Sequence, residues 1–175
     1  MHVIITGGVQ SGKSTLAAGL VSFLKDRGLP IAGILATGLW KDNLRHGFDL
    51  TDLKTGITTP LARRVSRQES RGITPFEFFD QGMAAGKGAL DAKSCAHARM
   101  IMVDEVGKLE LMDQGWAPFL TGLILIPRAV HVWIVRENLV KAVCRHWHLD
   151  RVEIVHVSDT AALERLKRLC VKEQQ

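Results

Sequence analysis

Apolar and polar positions along the chain fall into short blocks whose period changes repeatedly. His2–Thr6 is an apolar run with β-branched residues and predicts a buried strand. Beyond a glycine-rich stretch, Leu16, Leu20, Phe23 and Leu24 recur at helical spacing, and Gly28 followed by Pro30 closes that helix. Ile31–Thr37 predicts a second strand. Gly47–Leu53 alternates and can pair with Ile57–Leu61 across Lys54-Thr55-Gly56. Thr74, Pro75 and Glu77 carry the signs of a helix start: a capping hydroxyl, a proline in the first turn and a glutamate able to reach back. Gly82, Gly86 and Gly88 each cost such a helix ~1 kcal/mol against alanine, so a break is expected near Gly86.

The second half alternates more cleanly. Met100–Val103 predicts a strand that ends in Asp104-Glu105. Trp116, Phe119, Leu120, Leu123 and Ile124 form a helical stripe that Pro127 ends. Val130–Val135 predicts a strand, Glu137–Trp147 a helix and Val152–Val157 the last strand. Asp159 then caps a helix with Leu163, Leu166 and Leu169 inside and a Glu164/Arg168 pair outside. Strands alternating with helices imply an α/β fold whose mostly parallel sheet is covered on both faces, in one domain over residues 1–175.

Composition narrows the picture. At 46% apolar and 23% charged residues, the chain of 175 has the balance of a folded globular protein, which excludes extensive disorder. No apolar stretch approaches the ~18 residues of a membrane span, and no basic start leads into an apolar leader. Cys95, Cys144 and Cys170 are odd in number and far apart, which argues against a disulfide framework. A cytoplasmic monomer is therefore expected. Lysines and arginines exceed acidic residues by 23 to 18, a net +5 that favours anionic partners and leaves nucleic acid a lesser candidate. Arg63, Arg64, Arg67 and Arg71 form the densest cluster, read either as a solvated surface or as a phosphate-facing loop.

Gly7-Gly8-Val9-Gln10-Ser11-Gly12-Lys13-Ser14 matches G-x-x-x-x-G-K-[ST], and it leaves a strand and enters a helix. Glycines let successive amides point inward at phosphate oxygens, and the helix N-terminus adds partial positive charge. In this reading Lys13 reaches the β- and γ-phosphates, Ser14 ligates Mg²⁺ and Thr15 touches the α-phosphate. Asp104, at the end of an apolar strand, has the place of a second metal-holding group. Glu105 beside it suits the polarisation of an attacking water. Arg136 falls at the carboxyl end of a later strand, where ligands bind in open α/β sheets, and can meet γ-phosphate charge or stack on a base. Cys144, His146 and His148 lack a fourth partner for a metal site.

Asp104-Glu105-Val106-Gly107-Lys108-Leu109-Glu110-Leu111 then completes a longer pattern. With the Gly7–Thr15 loop, Arg45-His46-Gly47-Phe48 and Arg136-Glu137, it resembles the small P-loop nucleoside-triphosphatases of the cancer-related and thermophile type. The resemblance spans nearly the whole chain and is least distinctive over residues 60–95. It implies a RecA-like P-loop fold with an antiparallel hairpin beside the parallel core. It also implies slow Mg²⁺-dependent hydrolysis of several nucleoside triphosphates, ATP and GTP among them, to nucleoside diphosphates and phosphate. In the same reading Glu110 supports the signature loop. Two alternatives use the same loop: a small-molecule or nucleotide kinase with arginines 63–71 as a water-excluding lid, and a nucleotide-dependent switch.

Overall fold

The structure is a computed structural model that describes residues 1–66 and 74–172. Along the chain run β1 (His2–Gly7), α1 (Lys13–Lys25), β2 (Ile31–Lys41), β3 (Leu44–Asp52), β4 (Thr58–Arg64), β5 (Phe76–Phe78), α2 (Asp80–Ala89) and α3 (Ala92–Cys95). They are followed by β6 (Met100–Val106), α4 (Ala117–Ile124), β7 (Val130–Arg136), α5 (Val140–His146), β8 (Val152–His156) and α6 (Ala162–Lys172). The strands form one sheet in the order β5-β4-β3-β2-β6-β7-β1-β8. β2, β6, β7, β1 and β8 are mutually parallel, while β3, β4 and β5 extend the β2 edge antiparallel.

Alternation along the parallel strands divides the core between the two faces. Val3, Ile5, Met102, Val132 and Ile134 pack with Ala17, Leu20 and Leu24 of α1 and Leu166 of α6. Ile4, Ile101, Val103 and Trp133 point the other way, onto Leu90, Leu120, Leu123 and Val143. Apolar side chains on both faces leave the central strands no solvent side, which is why they read as continuous apolar runs. All the parallel strands therefore present their carboxyl ends at one edge, and β1 delivers its glycines there.

Four local expectations are corrected. β2 does not end at Thr37 but runs on to Lys41 and turns through Asp42 and Asn43 into β3. Both turn residues have positive φ, 50° and 60°, a conformation that Asn and Asp tolerate and that matches the twist of a tight hairpin. Thr74–Glu77 does not start a helix. Phe76–Phe78 instead pairs with β4, Glu77 binds the Arg63 guanidinium at 2.6 and 2.8 Å, and Phe76 packs edge-on against Phe48. Cross-strand partners outweigh the capping signal, and the helix begins only at Asp80.

α2 then continues unbroken through Gly82, Gly86 and Gly88. Its glycines serve close approach: a Cβ on Gly82 would lie 2.4 Å from the Pro60 carbonyl oxygen, and one on Gly86 2.4 Å from the Trp116 ring. Gly82→Ala should therefore destabilise the fold although alanine is the better helix former. Backbone overpacking of this kind costs roughly 1–3 kcal/mol, so melting should fall by several degrees. A Tm at or above wild type would show that α2 can lift off β4. At the last helix, Glu164 pairs with Lys167 at 2.6 Å rather than with the expected Arg168.

Candidate active site

β1 is held on both sides by parallel neighbours, so the turn leaving it is set rigidly against α1. Residues 7–15 form this turn and the first helical positions. Gln10 and Gly12 adopt left-handed φ values of 59° and 92°, which fold the chain back on itself before Lys13 opens α1. Ser11 Oγ donates to the Gly8 carbonyl at 2.9 Å and pins the loop's shoulder. The first turn of α1 contains no acidic residue, so its unpaired amides and dipole are left for an anion. Lys13 Nζ donates to the carbonyls of Gly7, at 3.1 Å, and Gly8, across the mouth of the loop. Burial lowers the Lys13 pKa from its ordinary value, and Arg136 and Arg45 push the same way against Glu105 and Asp104.

Asp104 arrives on β6, which β7 separates from β1. It is fully buried, and three groups hold its carboxylate: the Ala36 amide at 3.0 Å, the Glu105 amide at 2.8 Å and Ser14 Oγ at 3.5 Å. Burial, with Glu105 adding like charge, pushes the Asp104 pKa up to about 7. A buried carboxylate that is costly to ionise, beside a hydroxyl, is a hard oxygen donor set that a divalent cation would relieve of its excess charge. Ser14 and Asp104 thus fit Mg²⁺.

Pairing between β6 and β7 slips between Val103 and Val106, and Glu105 occupies the bulge with a left-handed φ of 59°. Such a backbone costs a non-glycine residue of order 1–2 kcal/mol and turns its side chain out of the ladder. Here it presents the Glu105 carboxylate to two arginines, Arg45 at 3.7 Å and Arg136 at 3.9 Å. Gln10, Lys13, Ser14, Arg45, Glu105 and Arg136 line one cavity of about 390 Å³, a volume in the range of small-molecule sites.

Sequence reasoning singled out every one of these six except Arg45, which it knew only as part of Arg45-His46-Gly47-Phe48. Trp40, another wall of the cavity, was missed, because β2 was expected to stop short of it. Glu110 holds the signature turn, as expected, by accepting from the Gly107 amide at 2.8 Å and the Trp116 amide at 3.2 Å. Arg63 and Arg64 are engaged elsewhere, with Glu77 and with the Arg45 carbonyl, while Arg67 and Arg71 lie outside the described residues. His146 faces Asp113 at 3.3 Å, and no group of three metal-ligating side chains occurs among the described residues. None of the described helices is long and apolar enough to cross a membrane.

A strand, a glycine-rich anion nest and a helix in unbroken succession, with a buried carboxylate brought alongside, is the architecture of the P-loop class of α/β proteins. Within that class this chain belongs to the NTPase family, which it matches over residues 2–166. It is 30% identical over 140 residues to the cancer-related nucleoside-triphosphatase homolog of Bos taurus, covering 74% of this chain and 72% of that one. It is 29% identical to the nucleoside-triphosphatase THEP1 of Archaeoglobus fulgidus over 87% of this chain and 84% of the relative. The fold matches the solution structure of a human cancer-related nucleoside triphosphatase with a TM-score of 0.72 at 22% identity, over 99% of this chain and 98% of the other. It also matches THEP1 from Aquifex aeolicus with a TM-score of 0.70 at 16% identity, over the full length of both chains.

Proposed function

We propose that this protein hydrolyses the β–γ bond of Mg²⁺-bound nucleoside triphosphates, with little selection among bases, using residues 7–15, Asp104, Glu105 and Arg136. The observation that carries this reading is the single cavity in which the Lys13 ammonium, the Ser14 hydroxyl and the Glu105 carboxylate converge. The amides of residues 7–15 and Lys13 would bind the α-, β- and γ-phosphates and hold the terminal group in one orientation. Mg²⁺, held by Ser14 and Asp104, would neutralise charge on the β- and γ-phosphate oxygens. Glu105 would orient a water and take its proton as the water oxygen bonds to the γ-phosphorus. The bridging bond then breaks with its electron pair passing to the β-phosphate, giving nucleoside diphosphate and inorganic phosphate. Arg136, half exposed at the rim, would face the departing γ-phosphoryl group.

A carboxylate next to the site and open to the cavity favours water as the acceptor. The kinase alternative draws no support from Arg63 and Arg64, whose guanidinium groups are engaged away from the cavity. The test is phosphate release from ATP, GTP, CTP and UTP with Mg²⁺ and with EDTA, at several pH values. All four should be hydrolysed, and EDTA should stop turnover. Because a proton competes with the cation for Asp104, half-saturating Mg²⁺ should rise roughly tenfold as pH falls from 8 to 6. Turnover that persists in EDTA would remove the roles of Ser14 and Asp104. Phosphate release that appears only on adding an alcohol or nucleotide acceptor would replace hydrolysis by transfer.

A further inference from the structure

We infer that Arg45 is an arginine finger supplied in cis by the β2–β3 hairpin, a catalytic residue that binds the γ-phosphoryl oxygens as negative charge shifts during bond cleavage. The inference rests on the hydrolytic reading above and adds a residue to it.

Four observations converge on this guanidinium. It comes from outside the parallel core, on β3, yet it reaches the cavity that holds Lys13 and stands 3.7 Å from Glu105. Its Cζ lies over two aromatic rings, that of Trp40 with its centroid 5.0 Å away and that of Phe48 at 4.8 Å. Contact with two rings restricts the guanidinium before any ligand arrives. Its Nε is buried and has no hydrogen-bond partner among the described residues, although desolvated N–H donors are rarely left so. Finally, the space it occupies is made for it: a Cβ on Gly38 would lie 3.0 Å from Nε.

A surface arginine that merely balanced Glu105 would need none of this. Arg136 makes the same kind of contact with Glu105 while 48% exposed, whereas Arg45 is 19% exposed. A partly buried positive charge interacts more strongly with a phosphoryl oxygen than one at the rim, and its ring contacts limit reorganisation during reaction. The backbone is secured as well, since Arg64 Nε donates to the Arg45 carbonyl at 2.6 Å. Glu105 is the acidic group that faces Arg45 across the cavity. Charge gathering on the phosphoryl oxygens during bond cleavage would draw Arg45 from that carboxylate and leave Glu105 freer to act on water.

The test compares ground-state and transition-state binding in Arg45→Ala and Arg45→Lys. The lysine variant keeps the charge opposite Glu105 and so guards against a folding defect. Expected is a fall in kcat of ~10²–10³-fold for Arg45→Ala and at least ~10-fold for Arg45→Lys, with KM changed less than about threefold. Affinity for Mg²⁺-ADP-aluminium fluoride should fall with kcat, affinity for a non-hydrolysable ATP analogue should not, and added guanidinium should partly restore Arg45→Ala. A wild-type kcat in either variant, or equal losses for the two ligands, overturns the finger while the hydrolytic reading stands. A wild-type protein that releases no phosphate removes that reading itself.

Discussion

Lys13→Ala should lose phosphate release to background, a drop of ~10³-fold or more, and should bind ATP far more weakly while binding adenosine about as before. The lysine supplies the charge at the mouth of the loop, and its ammonium already spans the carbonyls of Gly7 and Gly8. Burial holds its pKa below the ordinary value, with Arg136 and Arg45 acting the same way against Glu105 and Asp104. A bound triphosphate would exchange water for this partly buried cation, and its β- and γ-oxygens would gain more from it than any other part of the ligand. Removing the cation also leaves two loop carbonyls without their donor. Lys13→Arg separates these effects, because it restores charge but cannot sit as a point between the carbonyls. Calorimetric binding of ATP, ADP and adenosine to each variant gives the answer. Unchanged ATP affinity and turnover in Lys13→Ala would mean that this loop does not hold the triphosphate.

How far the sequence reveals such a site depends on how local its parts are. The loop of residues 7–15 is contiguous, and the periods of its flanks change from strand to helix on either side, so its geometry can be read from nine letters. Asp104 and Glu105 are legible for a related reason: an apolar strand must end, and the polar residues at its end face the edge where ligands collect. What could not be read is the meeting of Arg45 with Glu105, sixty positions apart (105 − 45). It follows from sheet order alone, because β3 lies beside β2 and β2 beside β6. The expected strand stops at Thr37, so the hairpin beyond Gly38 does not emerge from the sequence. In the fold that glycine is where the strand admits the Arg45 side chain. Phe76–Phe78 and the glycines of α2 teach the same lesson in reverse. Their local signals are genuine, but Glu77 finds Arg63 and α2 finds β4 and Trp116, and tertiary partners prevail.

Glu105→Gln should slow hydrolysis by ~10²–10⁴-fold, about 3–5 kcal/mol of barrier, without preventing formation of the Mg²⁺-triphosphate complex. The substitution preserves shape and one acceptor oxygen, so the strained left-handed backbone and the hydrogen bond its amide donates to Asp104 should survive. What it removes is the negative charge and the proton-accepting power. Loss of that charge also frees Arg45 and Arg136, which now face a neutral amide. Both arginines then become available to the γ-phosphate, so ground-state affinity for ATP should rise, and the bound triphosphate should accumulate. This pairing of slower chemistry with tighter binding distinguishes a base from a group that merely buttresses the loop, whose loss would weaken both. Glu110→Gln provides the contrast, since Glu110 is buried and accepts from the amides of Gly107 and Trp116 without reaching the cavity. It should lower stability more than it alters the intrinsic chemical step. Single-turnover phosphate release measured with ATP affinity decides the matter for Glu105. If Glu105→Gln hydrolyses at the wild-type rate, water is activated by another group or by the γ-phosphate oxygens themselves, and the carboxylate serves only to restrain the two arginines.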